Sequence, residues 1–509
     1  MNPLLLVDSY KIHHNRMYPD GMTKLYSNLT PRKSRIQGVD KVVVFGIQHF
    51  VLEYLIKKFN NDFFKISKED VISEYKRHCQ VDTKHIEDLW DLGYLPIEIK
   101  SLKEGSLCPI GVPLLTITNT HPKFAWLVNY LETLISCSLW QPITSATIAN
   151  EYKKILNRYA IETTGNTDGV QWQGHDFSMR GMSSSESAIL SGMGHLLSFT
   201  GSDTIPAIYQ LEKSYKASGL IGASVPASEH SVLCMGTKEN QLDTLLRHIK
   251  IYPDGILSEV MDTWDLTQVV KPSNDGLLFQ AKDAIMSRNG KVVIRPDSCP
   301  KGRTPADIIC GHDDKLTDRE MEAYYPEFYN KGLIQCLWEI FGGTVNNKGY
   351  KVLDCHIGGL YGDSITLQEA EQIMIRLKEK GFATTIENIV LGIGSMTYTG
   401  GETTKDKQYW VTRDLLGFAI KSTYGEITHE DGTLECREIF KDPITDDGMK
   451  KSKTGLLRVN GDSLNVTGCD DKRSWKEEQQ GLLQTVFKDG KLFNETTLEE
   501  IRERLQATL

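Results

Sequence analysis

Tyr350-Lys-Val-Leu-Asp-Cys-His-Ile-Gly358, Thr366-Leu-Gln-Glu369, Gly381 and Glu387-Asn-Ile-Val-Leu-Gly-Ile-Gly394 follow one another along the chain, and together they decide how its middle folds. The first segment is short and rich in apolar and β-branched residues, the pattern of a strand. Thr366 and Glu369 stand three apart, the spacing of a capping box that opens a helix. Gly381 supplies the left-handed residue that closes one. A second apolar, β-branched run comes next. Strand, helix and strand in succession need a crossover, and a crossover joins parallel strands.

The same alternation extends on the N-terminal side. Gly169–Phe177 leads toward a helix near Ser183, and Gly255–Val260 toward one beginning near Asp262. Lys291–Asp297 precedes Thr304-Pro305, an N-cap followed by a first-turn proline. So many strand–helix units in a row favour a closed barrel, with an open doubly wound sheet as the alternative. The segments Lys41–Phe45 and Leu95–Ser101 read as strands without that alternation, and the C-terminal tail is rich in strands and loops. The expected class is therefore α/β: an irregular parallel β/α barrel over residues 136–400. A second, mixed α+β domain is expected from residues 1–135 and 401–509. The polar stretch His312–Asn330 reads as an exposed insertion without chemistry.

Composition narrows the function classes. A formal net charge of -9 over 509 residues lacks the basic footprint of a nucleic-acid binder, yet leaves room for a local basic pocket. No apolar run approaches the roughly 20 residues of a membrane helix. The opening MNPLLLVDSY is broken by Asp8 and has no basic leader, unlike a signal peptide. Ten cysteines are scattered with no Cys-x-x-Cys pair, and read as reduced and mostly buried. Cys355-His356 could ligate a metal, but reads as packing. The expectation is a soluble, cytoplasmic protein.

In a parallel barrel, catalytic side chains gather where strands end and loops begin. His175-Asp-Phe-Ser-Met-Arg-Gly181 stands at one such end, and Ser183-x-x-Glu186 has capping-box spacing for the helix that follows. A helix N-terminus beside Arg180 makes an anion site, because free N–H groups and a guanidinium point into the same space. Gly201-Ser-Asp-Thr204 and Ser224-Val-Pro-Ala-Ser-Glu-His-Ser231 occupy later positions. His230 in the second is suited to carrying a proton or a phosphoryl group near neutral pH. Ile294-Arg-Pro-Asp-Ser298 sets a guanidinium and a carboxylate at a strand terminus. Such a pair can hold pyrophosphate and ribose hydroxyls, or serve as a structural ion pair. Leu391-Gly-Ile-Gly-Ser395 offers a backbone nest for a phosphate, with Arg413 downstream as a source of charge.

Together these segments resemble one family, the nicotinamide phosphoribosyltransferases. The resemblance also rests on Asp8-Ser-Tyr-Lys11, Leu95-Pro-Ile-Glu-Ile-Lys100, Thr412-Arg-Asp-Leu-Leu416 and Phe440-Lys-Asp-Pro443, all in register along nearly the whole chain. It implies a type II phosphoribosyltransferase fold and a homodimer with shared active sites. The implied reaction joins nicotinamide and phosphoribosyl pyrophosphate into nicotinamide mononucleotide and pyrophosphate, in NAD biosynthesis. ATP would stimulate it through a phosphohistidine at His230, and Mg²⁺ would arrive on the substrate.

Carried onto this sequence, the resemblance places Phe177 and a partner's Tyr10 on the two faces of the pyridine ring. Asp203 would accept a hydrogen bond from the carboxamide. Arg180 and Arg295 would hold pyrophosphate, with Arg295 also near the base, and Asp297 and Asp262 would orient ribose and nicotinamide. Gly394, Ser395, Arg413, Lys421, Arg32 and Lys441 would bind the 5′-phosphate, with Ser258 and Gly359 among the ribose and phosphate contacts. Glu229 and Ser224 would share the loop of His230.

The chain departs from the family pattern in two places. Leu360 stands where relatives carry an acid near the ribose, which leaves Asp363 as a substitute. The family's triple-glycine loop is here Gly392-Ile-Gly394-Ser395-Met396. The rival readings are the same reaction on nicotinate, a non-catalytic nucleotide- or partner-binding relative, and a Schiff-base barrel enzyme using Lys421.

Overall fold

In the computed structural model the chain divides into two compact units. One comprises Ile148–Ile208 and Gly219–Tyr398, the other Met1–Thr147, Tyr209–Ser218 and Thr399–Leu509. Residues 363, 364, 403–408, 412, 446–450 and 463 lie outside the description, and 400–402, 409–411, 413 and 414 are described by their backbone alone.

The first unit is built on six short parallel strands: β1 Gly174–Asp176, β2 Gly201–Ser202, β3 Leu257–Val260, β4 Val292–Arg295, β5 Ile357–Tyr361 and β6 Ile389–Ile393. β1 pairs with β2, β3 with β4, β4 with β5, β5 with β6, and β6 returns to β1, every pair parallel. Residues 221–228 fill the gap between β2 and β3 as an irregular seventh stave, bridging Gly201 to Ala223 and Ala227 to Ser258. The Ser202 amide donates to the Ala223 carbonyl at 3.0 Å, and the Ser258 amide to the Pro226 carbonyl at 2.9 Å. Pro226 has no N–H to give back, so this stave makes bridges where its neighbours make a ladder. The ring thus follows chain order, which is the barrel and not the doubly wound sheet. The apolar positions of β4, β5 and β6 are fully buried, among them Val292, Ile294, Ile357, Leu391 and Ile393, as expected of parallel strands covered by helices.

Several expected elements form where the sequence placed them. Thr304 and Asp307 make a complete capping box ahead of Pro305–Cys310. Thr366 caps Leu367–Glu379, while Glu369 accepts from the Ala306 amide at 2.7 Å and so ties two outer helices together.

Six readings are corrected. Within Gly169–Phe177 the residues Val170–Gln173 form a helical turn, and β1 begins only at Gly174. Of the ten cysteines three are buried and five exposed, so they are not mostly buried. Tyr350–Gly358 is two strands: Lys351–Leu353 pairs antiparallel with Gly343–Val345, and β5 begins only at Ile357. The break is an Asx turn, in which the Asp354 carboxylate accepts the His356 amide at 3.0 Å. The helix after β1 is capped by Ser184, which accepts from the Ser187 amide, and not by Ser183 with Glu186. The helix expected near Asp262 starts at Leu266, capped by Asp265, which leaves Asp262 in a loop. His312–Asn330 is not wholly exposed, since His312 and Glu320 are buried. Arg303 grips Glu320 through two hydrogen bonds of 2.8 and 2.9 Å, so the insertion is anchored by a buried ion pair.

The second unit carries a seven-stranded antiparallel sheet. Its order is Leu434–Glu438, Phe418–Thr428, Met22–Pro31, Leu115–Asn119, Ile97–Ser101, Gln484–Lys488 and Lys491–Leu492. Met22–Pro31 pairs directly with Phe418–Thr428, so strands from both ends of the chain build one sheet.

Candidate active site

The barrel's polar side chains collect at the C-terminal ends of its strands. After β1 the Phe177 amide bonds the Ile393 carbonyl at 2.9 Å, carrying the β1–β6 register one residue further. The Phe177 ring lies against Gly392 so closely that a Cβ there would sit 2.7 Å from it. The glycine of Gly392-Ile-Gly394 therefore has a packing duty separate from any phosphate nest. The His175 ring stands 4.6 Å from that of Phe177 at 37°, and the Arg295 guanidinium 5.9 Å from the Phe177 centroid.

His175 Nε2 lies 2.9 Å from Asp203 Oδ1, and the Ser224 hydroxyl donates to the same oxygen. Among the described residues no bond falls on Asp203 Oδ2. Burial pushes the Asp203 carboxyl up, but the bonds from His175 and Ser224 and the charge of Arg295 outweigh it and hold the group below its ordinary value. This corner therefore presents an ionised carboxylate with one oxygen spoken for and one free, beside an aromatic face. Asp176 supports it from beneath: fully buried, it accepts from the Ser178 amide at 2.9 Å and from Thr204 Oγ1 at 2.7 Å.

A second constellation surrounds the end of β4. Arg295 donates to the Ser228 carbonyl at 2.7 Å, and its Nε lies 3.6 Å from Asp297 Oδ1. Gly362, just past β5, abuts Asp297 where a side chain would collide. Asp262 is nearly inaccessible, and its Oδ2 accepts the amides of Asp297 and Ser298 at 2.9 and 2.6 Å. His230 is the first residue of helix His230–Gly236. Its Nδ1 lies 3.0 Å from Thr263 Oγ1, while Nε2 lies 3.8 Å from Asp262 Oδ1 and 3.9 Å from Asp297 Oδ2. The imidazole is half-exposed, and its free nitrogen faces two carboxylates just beyond bonding distance. Glu229, adjacent, is exposed and accepts from Ser231.

Arg180 is exposed on the turn Met179–Gly181. Gly181 packs so tightly on Ser395 that no Cβ would fit, which brings the loops after β1 and β6 together. Gly394 and Ser395 lead into the short helix Ser395–Thr399. Ser258, in β3, has a buried hydroxyl with no protein partner. Gly359 lies inside β5, and its missing side chain would strike Ile334 at 2.8 Å, so it faces an outer helix and not the strand ends. Leu360 is buried. Asp363, Thr412 and the Arg413 side chain fall outside the described residues.

The remaining candidates belong to the sheet unit. Arg32 and Lys421 line a cleft of about 460 Å³ together with Asn28, Thr30, Lys451 and Lys453. Burial, followed by the charge of Arg32 and then, more weakly, of Lys441 and Lys11, depresses the Lys421 ammonium below its ordinary value despite Glu132. Cations crowded in this way make the cleft electropositive, although Asp471 also lines it. Tyr10 is exposed, with Lys11 beside its ring and bonded to Glu132 at 2.7 Å.

Sequence reasoning had named His175 only as part of a motif and had missed the support from Asp176, Ser228 and Thr263. The adjacency of His, Asp and Phe in one strand end was the available signal for His175. Nothing in one sequence reveals Ser228, which acts through its carbonyl.

Comparison with known proteins identifies the family. Residues 172–491 match the model of the Nicotinate phosphoribosyltransferase (NAPRTase) family, and residues 2–99 that of the Nicotinamide phosphoribosyltransferase N-terminal domain. A nicotinamide phosphoribosyltransferase of Acinetobacter baylyi is 46% identical, covering 100% of this chain and 98% of that protein. One of Mycoplasma pneumoniae is 34% identical, covering 90% and 97%. The fold is shared with a solved nicotinate-nucleotide pyrophosphorylase from Pyrococcus furiosus, with a TM-score of 0.52 at 13% identity over 99% of this chain and 95% of that one. The chain belongs to the nicotinamide phosphoribosyltransferase family.

Proposed function

We propose that this protein transfers the phosphoribosyl group of phosphoribosyl pyrophosphate to the ring nitrogen of nicotinamide. The products are nicotinamide mononucleotide and pyrophosphate, a step of NAD biosynthesis. The observation that carries the choice of base is the Asp203 carboxylate, held ionised with one oxygen bonded by His175 and Ser224. Its free oxygen accepts a carboxamide N–H, whereas the carboxylate of nicotinate would meet like charge. Phe177 provides the stacking face, with the Arg295 guanidinium nearby.

The ring nitrogen displaces pyrophosphate from ribose C1 through a transition state with oxocarbenium character. The protein's share is positioning and charge stabilisation. Arg295 and Arg180 receive the pyrophosphate, which enters with its Mg²⁺, and Asp297 orients ribose. Asp262 acts at one remove, since its bonds go to the backbone of Asp297 and Ser298. On the barrel, Gly394 and Ser395 hold the 5′-phosphate; Arg32, Lys421, Lys441 and Arg413, all on the sheet unit, are phosphate-binding candidates in their own right. Tyr10 reaches the ring from a second copy of the chain in a homodimer. His230 accepts a phosphoryl group from ATP, with Asp262 and Asp297 steadying the charged imidazole.

The test is mononucleotide formation from nicotinamide and from nicotinate, with phosphoribosyl pyrophosphate and Mg²⁺, with and without ATP. Product from the amide, increased by ATP, is expected. Product from the acid alone would overturn the role of Asp203, and no product from either base would overturn the reaction.

A further inference from the structure

At the end of the barrel opposite the proposed site, Asp354, Cys355 and His356 form the turn that feeds β5. Each places a donor atom within 4.8 Å of the other two. We propose that this turn is a binding site for a late first-row divalent metal of the zinc class, held by one thiolate, one imidazole and one carboxylate.

The geometry carries the assignment. Cys355 Sγ and His356 Nδ1 are 3.5 Å apart. Zinc bonds of ~2.3 Å to sulfur and ~2.0 Å to nitrogen at a tetrahedral angle put those two atoms roughly 3.5 Å apart. His356 Nδ1 lies 2.6 Å from Asp354 Oδ1, a hydrogen bond that a metal would replace as Nδ1 becomes a ligand and the proton resides on Nε2. The turn is preset: the His356 amide bonds the Asp354 carboxylate at 3.0 Å, and the Ile357 amide bonds the Asp354 carbonyl at 3.1 Å.

Cys355 is exposed, and Asp354 and His356 are about a quarter exposed, so a metal can enter and water can fill a fourth position. Lys291 is the cation at this end. Its ammonium bonds the Glu387 carbonyl at 3.1 Å and is close enough to Cys355 and Asp354 to interact with their charges. The thiolate and imidazole favour a softer ion and select zinc-like metals over Mg²⁺ or Ca²⁺. Loaded, the site would fasten the hairpin of Gly343–Val345 and Lys351–Leu353 to the start of β5.

Cobalt(II) is the probe, added to reduced, metal-stripped full-length protein. The expected result is one equivalent bound with a thiolate-to-cobalt charge-transfer band and the visible bands of four-coordinate cobalt, both abolished by zinc. Cys355→Ser should lose the charge-transfer band and His356→Gln should weaken binding about tenfold. Cys234→Ser, which removes another exposed thiol, should retain both. A wild-type spectrum of six-coordinate cobalt only, or a thiolate band that survives Cys355→Ser, would overturn the proposal.

Discussion

Two regions at the strand ends of the same barrel are built to opposite standards of closeness. Around Asp203 the polar groups are already bonded: His175 at 2.9 Å, Ser224 on the same oxygen, and Asp176 satisfied by an amide and a hydroxyl beneath. Around Asp297 the charged side chains are anchored to backbone or hydroxyl groups but stand apart from one another, with Arg295 to Asp297 at 3.6 Å and His230 to the two carboxylates at 3.8 and 3.9 Å. The first arrangement is fixed before a ligand arrives, which suits recognition of an uncharged base by one oriented oxygen. The second leaves Arg295 Nε and Asp262 Oδ1 without a hydrogen bond among the described residues, which suits groups that must take up phosphate charge as a bond breaks. On the proposed function, selectivity would reside in the tight corner and catalysis in the loose one.

Breaking the loose corner should cost most. Arg295→Ala removes a guanidinium from the developing pyrophosphate charge, and kcat/KM is expected to fall about 10²–10³-fold. Most of the loss should be in kcat, because the interaction strengthens as the leaving group departs. A change confined to KM for the base would mean that Arg295 serves the ring beside Phe177 and not the phosphates.

Breaking the tight corner should change preference more than rate. Asp203→Asn keeps the shape and removes the charge, so amide-over-acid selectivity should drop by about 10–100-fold, with nicotinate turnover rising. Steady-state kinetics on both bases measures this directly. Unchanged selectivity would move recognition of the base elsewhere.

The difference between the corners also explains how far the sequence could be read. Several staves were legible because apolar, β-branched runs ending in polar residues have one economical solution, as at Val292–Arg295 followed by Asp297, whereas Gly201–Ser202 is too short to carry a pattern. The strand boundary at Asp354 was not legible, because an Asx turn depends on one side chain folding back onto its own backbone. The shift of a cap from Ser183 to Ser184 has the same cause: three consecutive serines offer equal chemistry, and only packing chooses among them. The seventh stave was invisible, since 221–228 contains Pro226 and has no strand periodicity. In the site, Arg295 and Asp297 declared themselves by adjacency in sequence, whereas the Asp203–His175–Ser224 contact joins residues from three separate staves. Whether a glycine serves packing or binding was also illegible, as Gly359 and Gly392 illustrate.

His230 tests the loose corner in a third way. His230→Ala should remove the ATP stimulation while leaving ATP-independent synthesis within about tenfold of the unstimulated wild-type rate, because a shuttle can be lost without disturbing the groups that hold the substrates. A radiolabelled γ-phosphate should mark the wild-type chain and not the variant. Stimulation that persisted in the variant would remove the phosphohistidine and leave the imidazole a spacer between Asp262 and Asp297.

The smallest effect expected is the most specific to the tight corner. Asp203 titrates below its ordinary value because hydrogen bonds and charge overcome its burial. Ser224→Ala removes one of those bonds without touching the free oxygen, so the carboxyl should become easier to protonate. A depressed carboxyl is ionised above its pKa and loses its charge as pH falls. Raising that pKa therefore moves the acid limb of the amide profile to higher pH, by about half a unit if one bond contributes under 1 kcal/mol. Near neutral pH the rate should barely change. A limb that stayed in place would mean that His175 alone holds the charge, and His175→Gln would then have to shift it further than the serine does.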